Sequence, residues 1–539
     1  MDSDPLLYQY DRLTGVVDYR GRPTSRSNSG GWTSALFIIG VEIAERFAFY
    51  GISSNLISYL TGPLGEPTAA AAAAINTWSG VASMLPLLGA FLADSYLGRY
   101  RTIVFASLIY ILGLGMLTFS SVLPSFQPPE CGDNILNLKG CSPSPLQVGF
   151  FYISLYSVAF AQGGHKPCVQ AFGADQFDAN DPKECISKSS FFNWWYFGMC
   201  GGTALTLLFL NYIQDNIGWG LGFGLPCIVM FFALLVFLLG TRTYRYYTLE
   251  EENPFARIGT AFVALAKSRR ANPARSKEAP EIHQYNADHI EEVKGVLGLF
   301  PIGATCLIYA VVFAQSATFF TKQAGTLDRR IGSSFQVPPA TLQSFIGITI
   351  VVFIPIYDRL LVPIARKLSK VPSGFTMLQR IGAGMILSLV SMVIAALVEM
   401  KRLKTARDYG LVDQPKVAIP MSLWWMVPQY ILFGMADVFT MVGLQEFFYD
   451  QIPDALRSLG LALYLSIFGI GNFISSILIS AIDKQTSKGG DSWFSDNLNR
   501  AHLDYFYWLL AGLSAVEFLI YAYCAQAYVY KKKAASPVV

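Results

Sequence analysis

Apolar residues in this chain run together rather than alternating with polar ones. Runs of 20 or more residues fall at about 34–60, 70–92, 102–123, 146–170, 191–213 and 217–240, and again at about 296–320, 341–365, 377–399, 421–448, 456–482 and 503–528. A bilayer core takes about 20 residues of helix to cross, so each run predicts a membrane-spanning helix. Glycine and other small residues punctuate most runs, as close contact between membrane helices requires. The long hydrophilic interruption at 241–295 divides the twelve into six and six. The expected organisation is an N-terminal tail (1–33), a six-helix bundle (34–240), a basic linker (241–295), a second six-helix bundle (296–528) and a C-terminal tail (529–539).

Composition agrees with an all-α integral membrane protein. Of 539 residues, 53% are apolar and only 14% charged, with a mean hydropathy of +0.40; soluble domains carry roughly 25% charged residues. A soluble enzyme, a disordered scaffold and a nucleic-acid binder are excluded. The eight cysteines form no CxxC pair, so neither a zinc site nor a disulfide scaffold is expected. Cys168, Cys200, Cys227, Cys306 and Cys524 lie in apolar runs and read as packing residues. Cys131 and Cys141 share one polar loop and would form a disulfide if that loop faces an oxidising space. Four histidines, one of them within a span, leave no histidine-box metal centre for a membrane enzyme.

Lysine and arginine set the expected orientation. The N-terminal tail, Arg99 and Arg101, the central linker, Arg366, Lys367 and Lys370, and Lys531, Lys532 and Lys533 all fall on one side, cytosolic by the positive-inside rule. Lys401, Arg402, Lys404 and Arg407 dissent. The tail carries no cleavable signal and reads as disordered and cytosolic; Asp2, Leu6 and Leu7 match an acidic dileucine sorting signal, which leans toward the vacuolar rather than the plasma membrane. In the linker, Phe255, Ile258, Phe262 and Leu265 recur at helical spacing beside basic residues, predicting an amphipathic helix on the inner leaflet. Asp94 to Arg99 after the second run is echoed by Asp358, Arg359 and Arg366 after the eighth. Two such repeats, rocking about a midplane site, make a secondary transporter.

Charges within spans are costly and need a partner or a task. Glu42, Glu45 and Arg46 share one face of the first helix. Two carboxylates cannot both be neutralised by one arginine, so one of them should be able to take up a proton. Lys166 lies mid-span in the fourth helix beside Gly163, Gly164 and Pro167, and needs an acid or an anionic ligand. Its neighbour His165 points about 100° away and reads as a packed neutral imidazole. Asp437 and Glu446 are nine residues apart and so face opposite ways. Asp437, the deeper, is the expected partner of Lys166, and Glu446 holds local structure. Glu399 and Glu517 read as edge or packing charges. Phe49 and Tyr50, one turn beyond Arg46, and Gln315 are candidate pocket residues, and Thr102, after Arg99-Tyr-Arg, is a candidate phosphosite.

Together these segments resemble the plant nitrate and peptide transporter family (NPF), part of the proton-coupled oligopeptide transporter superfamily. The carriers are ExxER at Glu42, Glu45 and Arg46, GGxKPCVxAFGADQF at Gly163 to Phe177, FFNWWYF at 191–197, TFFTKQAGTLDRR at 318–330 and EFFYDQIPDALRSLG at 446–460. The resemblance spans essentially the whole chain. It implies a major facilitator fold, proton symport by alternating access, proton coupling at Glu42, Glu45 and Arg46, and a gating pair of Lys166 with Asp437. The family more often has Glu at the latter position. No cofactor beyond the coupling proton is implied, and the expected partners are a small solute, protons and the bilayer; the oligomeric state is open. Arg46 and Lys166 suit an anionic solute, nitrate first and di- or tripeptides second, with hormones and glucosides as further family substrates. A non-transporting sensor on the same fold is the alternative of another class.

Overall fold

The computed structural model describes residues 12–123, 144–178, 181–247, 297–332, 335–369, 375–452 and 457–528. The first bundle comprises α1 (Gly31–Ser53), α2 (Thr68–Leu92), α3 (Arg99–Val122), α4 (Pro145–Ala174), α5 (Pro182–Leu205) and α6 (Trp219–Leu239). In the second, α7 runs as Leu297–Ala304 and then Leu307–Gly325 with a 48° bend between. It is followed by α8 (Ser344–Ile356), α9 (Met377–Asp408), α10 (Val427–Asp450), α11 (Arg457–Thr486) and α12 (Leu503–Ala527). Among the described residues nine helices are long and apolar enough to cross a membrane, and bent α7 makes a tenth. The two that fall short are α1 and α4. Every 18-residue stretch of α1 holds Glu42, Glu45 and Arg46, and α4 carries His165 and Lys166 among glycines. The spans least suited to lipid are those that hold the expected chemistry.

Glycine sets how closely those helices approach. A Cβ at Gly89 of α2 would overlap the backbone of Gly163 and Gly164 in α4, so the two helices meet backbone to backbone and α4 is held rigidly just before Lys166. Gly202 of α5 does the same for α1, lying against the Ile43 carbonyl and Arg46. The sequence echo has a backbone counterpart. Helices α2 and α8 both widen into one π turn at the same end, Ala93–Leu97 and Tyr357–Leu361. In the first repeat Arg99 then binds Asp94 at 3.5 Å and Asp175 at 2.5 Å.

The N-terminal tail corrects the expectation of disorder. Strands β1 (Arg12–Val17), β2 (Pro23–Ser25) and β3 (Tyr246–Tyr247) form an antiparallel sheet with β1 central. Buried Arg245 fixes it to the bundle, donating to Glu184 at 2.6 and 3.0 Å and to the Ser29 carbonyl at 3.1 Å. Local composition misses this because β3 lies some 230 residues from β1. The linker helix around 255–265, Cys131 and Cys141, Asp2, Leu6 and Leu7, and the C-terminal lysines lie outside the described residues.

The two bundles are joined at the end opposite this sheet. Asn76 donates to Ser475 at 2.9 Å, Thr77 meets Ser476 at 2.8 Å, and Gln343 donates to the Ser54 carbonyl at 2.9 Å. Lys322 donates to Thr61 at 2.7 Å, and Asp496 accepts from the Thr68 amide, at the start of α2, at 2.7 Å. Every hydrogen bond that crosses between the bundles among the described residues lies in this far half, so the cleft between them opens toward the face bearing the sheet.

Candidate functional site

The site grows from α1. Spacings of three and four residues bring Glu42, Glu45 and Arg46 to one face, where they are 2%, 0% and 4% exposed. Arg46 Nε lies 2.5 Å from Glu45 Oε2 and 3.2 Å from Glu42 Oε1, and Nη2 also meets Glu45. One guanidinium thus serves two carboxylates. Tyr110 of α3 reaches the other Glu45 oxygen at 3.4 Å. Glu42 Oε2 makes no hydrogen bond, although the Trp195 indole N–H, itself without a partner, lies near it. The Arg46 guanidinium stands 5.8 Å from the Phe49 ring, which stacks on Trp78 at 5.4 Å. Phe49 therefore walls the charged cluster on the side away from Glu42.

Lys166, half-buried on α4, faces this cluster; Arg46, Glu45 and Glu42 are its charged neighbours. The expected ion pair with Asp437 is not formed. Asp437 on α10, 4% exposed, accepts instead from the Tyr309 hydroxyl of α7 at 2.6 Å. The reason is geometric: with the bundles parted on this side, Lys166 stays with the first and Asp437 finds its donor within the second. Tyr50 of α1, half-buried, lies within electrostatic reach of Arg46, Glu45 and Asp437.

Other sequence expectations divide. Asp437 and Glu446 do face opposite ways: Glu446 is half exposed and pairs with Arg380 at 3.4 Å. His165 is fully buried against the Tyr110 ring, as a packed imidazole, with both ring nitrogens unbonded. Gln315 does not line the cleft. It is fully buried at the closed end, donating to the Val311 carbonyl at 2.7 Å and to Ser475 at 3.1 Å. Thr102 is also corrected: it is 5% exposed and its hydroxyl donates to the Gly98 carbonyl at 3.0 Å, leaving a kinase no access in this conformation.

Of the two expectations for Glu399, edge or packing charge, the structure shows packing, and Arg402 is not a loop cation. Helix α9 continues to Asp408, and inside it Arg402 grips Glu399 at 2.6 and 2.7 Å with both residues fully buried. One of the four cations that opposed the expected orientation is thereby neutralised within the protein.

Sequence reasoning missed Tyr309 and undervalued Glu517. Nothing in the sequence marks Tyr309 among 28 tyrosines. Glu517 of α12 accepts from the amides of Ile308 and Tyr309 at 2.6 and 3.0 Å, where α7 resumes after its bend. Amides at a helix start have no partner within the helix, so a carboxylate in an apolar span facing a broken helix is the available signal.

A family model described as PTR2, POT family, matches residues 100–494. The chain is 61% identical over 545 residues to Protein NRT1/PTR FAMILY 5.10 of Arabidopsis thaliana, covering 96% of this chain and 97% of that one. It is 52% identical to NRT1/PTR FAMILY 5.16 of the same plant, covering 97% of each. Among solved structures, an auto-inhibited POT family peptide transporter superposes with a TM-score of 0.72 at 21% identity, over 93% of this chain and 99% of that one.

Proposed function

This chain belongs to the POT family of membrane transporters, in its plant NRT1/PTR branch, and from that premise we propose that it is a proton-coupled symporter of a small solute bearing an anionic group. The observation that carries the reading is the pair of carboxylates on one guanidinium, nearly out of solvent, beside Lys166. With both acids ionised, the four groups are neutral together. One proton on either acid leaves a single positive charge facing the cleft, and an anion restores neutrality. Proton and anion therefore bind together more readily than either alone, which is the thermodynamic content of symport. The side bearing the sheet is cytosolic in this reading, so the conformation is open to the cytosol. The membrane is the vacuolar or the plasma membrane.

Nitrate is the simplest solute that meets the charge requirement. A second reading, a zwitterion such as a short peptide, is favoured by a specific placement: Lys166 and Asp437, of opposite charge, stand on opposite bundles without pairing. The deciding experiment is uptake of labelled nitrate, and separately of a labelled dipeptide, into proteoliposomes with an imposed proton gradient. Acid-driven uptake of either solute supports symport and selects between them. Uptake indifferent to the gradient overturns proton coupling.

A further inference from the structure

Asp437 occupies an unusual position: a carboxylate 4% exposed in the second bundle, with no cation paired to it. Its hydrogen bond from Tyr309 is the contact that makes this burial tolerable, because a buried charge left without a partner is destabilising by several kcal/mol. The groups facing Asp437 are few. Tyr309 comes from α7, while Tyr464 of α11 and Tyr50 of α1 lie within reach of its charge. Lys166, on α4 of the other bundle, makes no hydrogen bond or ion pair among the described residues.

Tyr309 is itself held in place. It is 1% exposed and its ring packs edge-on against Phe468. Its backbone amide and that of Ile308 are both bound by Glu517 from α12. These two bonds fix the phase of α7 at the residue that touches Asp437. Helices α7, α10 and α12 are thus coupled through one chain of contacts, Glu517 to the α7 backbone to the Tyr309 hydroxyl to Asp437.

We propose that Tyr309 is the alternate partner of Asp437, holding its carboxylate while the bundles are parted on the cleft side and releasing it to Lys166 when they close there, with Glu517 as the residue that positions Tyr309. The proposal deepens the symport reading and rests on it for its purpose, but its geometry is independent of which solute is carried. Tyr309 keeps its proton throughout; only the acceptor of its hydroxyl changes. The exchange gives each conformation a satisfied carboxylate, so neither end state of the rocking motion leaves a bare buried charge. Without Tyr309, the parted state loses its acceptor's donor while the closed state does not.

Removing that hydroxyl should therefore shift the conformational balance toward closure on the cleft side, by about fivefold or more for one hydrogen bond to a charged group. The test is a distance measurement between nitroxide labels at Cys185 on α5 and at Gln445→Cys on α10, with the remaining cysteines replaced by serine. The full-length protein is held in proteoliposomes without solute. Tyr309→Phe is expected to enlarge the short-distance population, and Glu517→Gln to do so to a lesser degree, because an amide oxygen serves only one of the two backbone amides well. In an Asp437→Asn background, Tyr309→Phe should have no further effect. A purely structural Tyr309 would instead lower the melting temperature and leave the distance distribution unchanged. That result, or additive effects of the Tyr309 and Asp437 changes, overturns the proposal. The measurement needs no transport. A failure of acid-driven uptake would remove the symport reading while leaving the partner exchange to be decided by the distances.

Discussion

Two buried acid–arginine groups in this molecule differ in one carboxylate, and the difference separates scaffold from machinery. In α9, Arg402 binds both oxygens of Glu399 and places its remaining donors on the Leu498 carbonyl at 2.6 Å and Asn499 at 2.9 Å. Charge and hydrogen bonds both close. In α1, Arg46 faces Glu42 and Glu45 together, and Glu42 Oε2 has no hydrogen bond. The closed pair has nothing to gain from a proton or a ligand. The open one has an acid in excess and a lysine beside it. Burial and the presence of charge are common to both, so neither alone tells the two apart; the second carboxylate does.

The comparison can be broken first at the closed pair. Arg402→Ala strands a buried carboxylate, and should cost about 3–5 kcal/mol, read as loss of folded protein in detergent and a steep fall in melting temperature. An Arg402→Ala protein that melts normally but transports with an altered pH profile would place function in α9 and dissolve the distinction. At the open cluster the expectation is reversed. Glu45→Gln should fold, with a melting temperature within a few degrees of the unchanged protein, while acid-stimulated uptake disappears and leaves a flat pH profile. Wild-type pH dependence in that variant would sink the coupling scheme.

Charge reversal across the cleft sharpens the picture further. Under the proposed exchange, in which the two meet in the closed state, Lys166→Asp and Asp437→Lys should each lower uptake by about tenfold or more, and the double exchange should recover part of it. Equal loss in all three variants argues against any meeting. The smallest effect is expected outside the spans, at Glu66 in the loop before α2, whose carboxylate is bonded by Tyr152 at 2.9 Å on both oxygens. Burial raises the Glu66 pKa, the Tyr152 bond opposing it. The folded state therefore binds the proton more readily than the unfolded chain, and this group's contribution to stability grows as pH falls through its folded pKa. Melting temperatures measured from neutral to acidic pH should show a slight stabilisation on acidification that Glu66→Gln removes.

Much of this was legible in the sequence because membrane helices announce themselves by apolar run and charge. The spans, the face shared by Glu42, Glu45 and Arg46, the division between Asp437 and Glu446, and the echo after α2 and α8 all follow from spacing along one helix. What escaped was set by contacts between distant segments. The pairing of β1 with Tyr246 and Tyr247, the turn of Gln315 into the closed end, and the choice of Tyr309 over Lys166 each depend on a neighbour from another part of the chain. Glu399 and Arg402 sat at helical spacing in plain view. Reading them apart follows from the apolar run, which ends at 399, two residues before the charges begin at Lys401, whereas α9 itself continues as a helix to Asp408.

The far-end contact between the bundles has a consequence for timing. It is made of hydroxyls and amides, a carboxylate on a backbone amide and the Lys322 ammonium on the Thr61 hydroxyl, with no ion pair among the described residues. Water replaces the neutral bonds among these at little net expense, while the two made by Asp496 and Lys322 are charge-assisted and stronger. A seam without ion pairs has modest adhesion. In the symport scheme proposed above it parts or closes as the rest of the molecule dictates, and the clock of the cycle falls to the few charges on α1, α4 and α10.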